Sequence, residues 1–285
     1  MFINERHILD GMDDPSVRRI IPKFQYIRSP NTTGAPITPK FLVMHFTAHH
    51  LASSAINWFQ MQKSRVSCHL ILDRDGSLTQ MLPFNTVGWH VGESYWKGHS
   101  GLNNNSIGIE NVNYGACDRM VDGLVQPRRG DAGFDPQVWG KPNDWLYASH
   151  PLEPHIKRYW QRYTDEQLAA LDLITPLLVD HYKLREVVGH EEVATPQGRK
   201  TDPGPAFPLR YYKQFADFRN AGGGGTYTVV ADELNLRGGP GPEYAIISKL
   251  TRGTAVKVLK VEGKWALVNV DTKRGYVHES FIMKT

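Results

Sequence analysis

Cysteine is nearly missing from this 285-residue chain: Cys68 and Cys117 are the only two. Two are too few for a disulfide framework and lack the paired spacing of a structural zinc site, so both are expected to be plain thiols. Long hydrophobic runs are missing too. The first 24 residues, MFINERHILDGMDDPSVRRIIPKF, are interrupted by charge and hold no apolar core of a signal peptide, and no later run approaches bilayer-spanning length. The expectation is a soluble chain with no classical signal peptide and no membrane insertion. A dense Lys/Arg run is also lacking. The 33 basic residues are scattered, and a net charge of +4 favours only weak attraction to polyanions, so no nucleic-acid partner is expected.

What is present suffices for a sizeable core. With 40% apolar and 22% charged residues, the composition is that of a globular chain with one large domain and a small one. Four consecutive glycines, Gly222 to Gly225, read as a flexible joint, placed as a linker over 221–226. Beyond it, residues 227–285 break into short alternating strands separated by GGPGPE, TRGT, EGK and TKRG, the pattern of a compact all-β barrel.

Before the joint, strands and helices mix. FLVMHF, Phe41 to Phe46, is a continuous apolar run typical of a strand buried on both faces, and the polar His45 inside it needs a reason. ASSAINWFQMQ has helical spacing, and HLILDRDGSLTQML reads as a hairpin turning at Asp75-Gly76. In SIGIENV the period-two pleat puts Ile107 and Ile109 on one side and Gly108 and Glu110 on the other. Thr164 and Gln167 form a capping-box signature ahead of LAALDLITPLLVDHY, in which Pro176 is expected to bend the helix or shorten its regular part. The fold class is therefore α/β for residues 36–220, with residues 1–35 as an arm packed along that domain.

Residues 189–207, GHEEVATPQGRKTDPGPAF, gather a His, a Lys and an Asp among turn residues. A short strand at Val187 and Val188 delivers His190, and a Pro/Gly-rich loop brings back Lys200 and Asp202. Two neutral imidazoles and a carboxylate with one open position make a hydrolytic zinc set, which His45, His190 and Asp202 could supply. No short His-x-x-x-His repeat supports it, and a hydrogen-bonded structural histidine remains the other reading.

Six strings, VMHFTA, VSCHLILDRDGSLTQMLP, GWHVGES, NNNSIGIENVN, TDEQLAAL and VVGHEEVATPQGRKTDPGPAF, occur in order over residues 41–208 and resemble the zinc-dependent N-acetylmuramoyl-L-alanine amidase family (amidase type 2), related to peptidoglycan recognition proteins. LNLRGGPG, LTRGTAVKVL, KWALVNV and RGYVHESFI resemble the bacterial SH3-like domain. The first resemblance implies a central, largely parallel mixed sheet flanked by helices, and one zinc ion per chain in a surface groove. It also implies hydrolysis of the amide between the lactyl group of N-acetylmuramic acid and L-alanine. Carried over by position, the zinc ligands fall on His45, His190 and Asp202, the catalytic glutamate on Glu110 and the catalytic lysine on Lys200.

His69, Trp89 and His90 lie in family-like strings near the expected groove, with substrate contact, ligand orientation or a structural role all open. Gly108 is expected to leave room for substrate beside Glu110. The segment from Asn113 to Arg162 is longer than the family minimum; its Trp139, Trp145, Tyr147 and Trp160 either stack on sugar rings or bury as a satellite cluster. The implied partner is peptidoglycan or a muropeptide, met at the bacterial wall or periplasm, with cytoplasmic recycling as the alternative location. A non-catalytic wall-binding protein is the alternative function.

Overall fold

A computed structural model describes residues 1–117, 119–121, 124–126, 142–220, 225–271 and 273–285. Trp139 and Gly222 to Gly224 lie outside the described residues. The chain divides into two compact units, Met1–Arg210 and Tyr211–Thr285.

In the first unit the strands used below are β1 (Phe24–Tyr26), β2 (Phe41–Phe46), β3 (Leu70–Leu72), β4 (Leu78–Gln80), β5 (Ser106–Asn111), β6 (Ala116–Cys117), β7 (Trp145–His150), β8 (Glu153–Gln161) and β9 (Glu186–Gly189). Helices are α1 (Ala52–Gln60), α2 (Asp165–Tyr182) and α3 (His190–Val193). The central sheet runs β9-β2-β5-β3-β4-β1. All its neighbours pair in parallel except the β3–β4 hairpin. A parallel sheet covered on both faces wants apolar side chains at successive positions. Leu42, Val43 and Met44 are accordingly wholly buried, each worth about 1.5–3 kcal/mol relative to exposure.

Register decides what else shares a face. His45 is the partner of Glu110 across β2 and β5, and Val43 is the partner of Gly108. In a parallel pair such partners point to the same side, so His45, Gly108 and Glu110 share one face while Met44, Ile107 and Ile109 fill the other.

The helix α2 opens on the anticipated capping box: Gln167 N–H donates to Thr164 Oγ1 at 3.1 Å, and Thr164 N–H to Gln167 Oε1 at 3.2 Å. It is not shortened by Pro176 but continues to Tyr182. Proline removes one backbone donor, whereas Leu171, Ile174, Leu178 and Val179 are buried along the same helix, and that packing outweighs the lost bond. The N-terminal arm does more than pack alongside. Its β1 pairs in parallel with β4 and becomes the edge strand of the sheet. The long segment after β5 builds a second, antiparallel sheet, β6-β8-β7. Trp145 and Trp160 are buried there, so packing and not sugar stacking is their role; Tyr147 is exposed.

The second unit starts at Tyr211, within the helix α4 (Leu209–Asn220). Its strands are β10 (Gly225–Val229), β11 (Glu233–Arg237), β12 (Ile246–Thr251), β13 (Ala255–Glu262), β14 (Trp265–Val270), β15 (Lys273–His278) and β16 (Ile282–Lys284). They form one antiparallel sheet in the order β12-β11-β15-β14-β13-β10-β16. Six of these strands send side chains into a single core, including Val229, Leu236, Leu250, Val258, Val268 and Val277, which requires the sheet to curl around it. The guanidinium of Arg274 lies over Tyr211 and Phe215 at 4.4 and 4.1 Å, tying α4 to this unit.

Candidate metal centre

His45 sits near the C-terminal end of β2, and His190 opens α3 directly after β9, the strand beside it. Asp202 comes from the loop that follows. Their side chains converge: His45 Nδ1 lies 3.0 Å from His190 Nδ1 and 3.0 Å from Asp202 Oδ2, and His190 Nδ1 lies 2.9 Å from Asp202 Oδ2. All three are buried, and they are the one cluster of three or more potential metal ligands among the described residues. They line a cavity of about 800 Å³ together with Glu110 and Lys200.

The hydrogen bonds behind these residues fix their tautomers. His190 Nε2 faces the Val91 carbonyl oxygen at 2.9 Å; a carbonyl only accepts, so Nε2 carries a hydrogen, and in the neutral ring that a metal ligand requires Nδ1 is the lone pair. For His45 the chain of reasoning is longer. Ser106 Oγ–H donates to the Leu102 carbonyl at 2.6 Å, which leaves Ser106 Oγ to accept from His90 Nε2–H at 3.3 Å. His90 Nδ1 then accepts from His45 Nε2–H at 3.0 Å, and His45 Nδ1 is bare as well. Burial, followed by the neighbouring His190, lowers the His45 pKa to about 4, and burial holds His90 well below the usual imidazole range, so both are neutral near pH 7. Burial would raise Asp202, but its contacts with His190 and His45 outweigh that and keep it an anion. Two nitrogen lone pairs and a carboxylate oxygen this close repel unless a proton or a cation lies among them. The donor set fits a divalent cation that takes N and O ligands.

Glu110 points into the same cavity from β5. Its Oε2 is buried with no hydrogen-bond partner among the described residues. Burial first, then the nearby Asp202, pushes its carboxyl well above the usual range, against an opposing pull from Lys200. A buried carboxyl with an unpartnered oxygen and a raised pKa, beside the ligand set, suits proton transfer.

Of the three groove candidates, only His90 lines the cavity. His69 is wholly buried and satisfied at both nitrogens: its Nδ1 accepts from Gly108 N–H at 3.0 Å and its Nε2–H donates to the Thr86 carbonyl at 2.9 Å. The Trp89 side chain is not part of the lining either; what places it in the fold is its backbone, paired with Ser67. Gly108 likewise makes no room for substrate. A Cβ there would meet His90 Nδ1 at 2.6 Å and Cys68 Sγ at 2.8 Å, so the glycine makes room for His90. Gly108→Ala is expected to cost about 1–3 kcal/mol through overpacking and, by displacing the partner of His45, to weaken metal binding about tenfold or more. Thermal melting and competition against a chromophoric chelator measure the two effects. Trp58 lines the cavity, is 49% exposed and was not singled out by sequence; it stands three residues after the buried Ala55 on the same side of α1, so the helical pattern alone does not mark it.

Residues 34–205 match the N-acetylmuramoyl-L-alanine amidase family, and residues 232–283 match the bacterial SH3 domain. The chain belongs to the N-acetylmuramoyl-L-alanine amidase family. It is 31% identical over 145 residues to the 1,6-anhydro-N-acetylmuramyl-L-alanine amidase AmpD of Escherichia coli K12, covering 50% of this chain and 54% of that one. To the N-acetylmuramoyl-L-alanine amidase AmiD of the same strain it is 29% identical over 187 residues, covering 61% of this chain and 52% of the relative. It thus spans about half the length of the curated relatives it matches. Among solved structures, the complex of E. coli AmiD with anhydro-N-acetylmuramic acid-L-Ala-D-gamma-Glu-L-Lys is similar with a TM-score of 0.45 and 27% identity, over 64% of this chain and 59% of that one. Among the described residues no helix of this family member is long and apolar enough to cross a membrane.

Proposed function

We propose that this protein is a zinc-dependent amidase that hydrolyses the bond between N-acetylmuramic acid and the L-alanine of the stem peptide, in peptidoglycan or muropeptides. The observation that carries the reading is the convergence of three bare donors, His45 Nδ1, His190 Nδ1 and Asp202 Oδ2, on a cavity that also holds Glu110 and Lys200. Zinc held by those donors would supply a Lewis acid and acidify a coordinated water. Glu110 takes the proton of the attacking water and returns it to the leaving nitrogen, a role suited to a carboxyl that burial holds well above the usual carboxylate range. Lys200 supplies a positive charge for the oxygen on which negative charge gathers as the amide carbon becomes tetrahedral. Replacing Lys200 by Met is expected to lower kcat about a hundredfold or more with little change in metal content, read from initial rates and metal analysis on the same preparation.

The non-catalytic wall-binding reading is weaker, because binding alone has no use for a buried carboxyl oxygen without a partner. We assign the chemistry to residues 36–220 and, for the SH3-like residues 227–285, a role in holding the enzyme at the wall. The test is digestion of intact peptidoglycan and of soluble anhydro-muropeptides by the protein, by the protein with chelator, and after zinc is restored. Free stem peptides with an L-alanine amino terminus in the first and third samples, and none in the second, are the expected result. Binding to peptidoglycan without release in any sample would move the assignment to the recognition reading. The preferred substrate of the two separates an enzyme of the wall or periplasm from one that recycles fragments in the cytoplasm.

A further inference from the structure

Asp202 poses a positioning problem, because it stands on a Pro/Gly-rich loop whose residues from Thr195 to Arg199 are exposed, and loops of that composition sample many conformations. The long segment after β5 touches that loop twice. From β7, His150 Nε2 lies 2.8 Å from Glu191 Oε2, with His150 wholly buried and Glu191 at 9% exposure. Leu152 N–H donates to His150 Nδ1 at 3.1 Å, so the hydrogen of the neutral ring is on Nε2 and points at the carboxylate. Glu191 follows the ligand His190 directly. Its same Oε2 also accepts from Gly204 N–H at 3.2 Å, two residues past Asp202, and its backbone N–H donates to the Asp202 carbonyl at 2.8 Å. From β8, Trp160 packs against His150 with ring centroids 5.5 Å apart and the planes tilted by 34°, and a Cβ on Gly204 would meet its ring at 2.8 Å.

We propose that His150 and Glu191 are positioning residues: the β7–β8 hairpin uses them to hold the His190 and Asp202 segments at the spacing the metal needs. This rests on the zinc reading of the site. One carboxylate oxygen spans both ligand-bearing segments, so Glu191 acts on His190 and Asp202 together, and His150 fixes where that oxygen stands. Neither residue contacts the cavity or the reacting atoms. The long segment thereby has a task at the metal site although its Trp145 and Trp160 are spent on packing.

The test measures the zinc dissociation constant of the full-length protein by chelator competition for wild type, Glu191→Gln, His150→Leu, the double variant and His150→Gln. Melting and circular dichroism of each metal-free protein set an assay temperature at which all are folded. Glu191→Gln and His150→Leu are each expected to weaken zinc binding about tenfold or more. The double variant is expected to be no weaker than the worse single one, since both break one unit. His150→Gln places an amide N–H where Nε2–H stood, and recovery of most of the affinity is expected. A purely structural pair would lower the melting temperatures and leave zinc affinity of the folded proteins at the wild-type value; that result overturns the proposal. Should His150→Leu fail to fold, Glu191→Gln, which conserves size and shape, decides by itself. If wild type binds zinc stoichiometrically and releases stem peptide while the variants match it, only the clamp falls; if wild type takes up no zinc, the reading of the site falls and the clamp with it.

Discussion

Asp202→Ala is expected to leave the protein folded but unable to retain zinc, and so to reduce stem-peptide release to background. The three donors are two imidazole nitrogens and one carboxylate oxygen. Removing the anion takes away the one carboxylate among the three donors offered to a divalent cation in a buried site, where charge interactions are strongest. The same substitution relieves the crowding of acceptors in the metal-free protein, so its melting temperature without metal is expected to hold or rise. With metal the order reverses. A cation that binds only the folded state stabilises it by about 4 kcal/mol at a thousand times its dissociation constant, and wild type alone gains this shift. Thermal melts with and without zinc, alongside metal analysis after gel filtration, check both halves. One zinc per chain and an unchanged shift in Asp202→Ala would remove Asp202 from the ligand set.

Much of the framework around this site is legible in the chain because the signals are local. The apolar run of β2, the alternation of β5, the hairpin at Asp75-Gly76 and the capping box of α2 each depend on residues a few positions apart, and each forms as the pattern demands. The site itself is not local. His45 is separated by 145 residues from His190 and by 157 from Asp202. No periodicity links them, and only the ordered motifs of a family bring them together on paper. The misreadings have the same origin. Gly108 looks like space for substrate along its own strand, but the atoms above it belong to His90 and Cys68 from other segments. Pro176 looks like a place where the regular helix shortens when the tertiary packing of its neighbours is not counted. For His69 the string leaves substrate contact and a structural role both open, and hydrogen bonds from Gly108 and to Thr86 settle it as an interior brace. His150 carries no motif at all, and its meaning comes entirely from Glu191.

Glu110→Gln is expected to lower kcat by about 10² to 10⁴, the usual worth of a positioned proton carrier, while leaving zinc affinity near that of wild type, because Glu110 is not among the three converging donors. Glutamine keeps the shape and loses the titration, so a structural role predicts little change. A second consequence needs no substrate. In the metal-free protein Glu110 titrates above its ordinary value because burial, then Asp202, disfavour its charged form. A group whose folded pKa exceeds its unfolded one contributes stability that is fully present below the unfolded value and is lost as pH rises through the folded value. Wild type therefore carries a penalty near neutral pH that Glu110→Gln does not. The metal-free variant is expected to melt higher than wild type at about pH 7 and to lose that advantage below about pH 4, where the free carboxyl is itself protonated. Wild-type kcat in Glu110→Gln would sink the proton-carrier role. Equal melting temperatures across the range would show instead that the carboxyl is better solvated than its unpartnered Oε2 implies, and the two results are independent of each other.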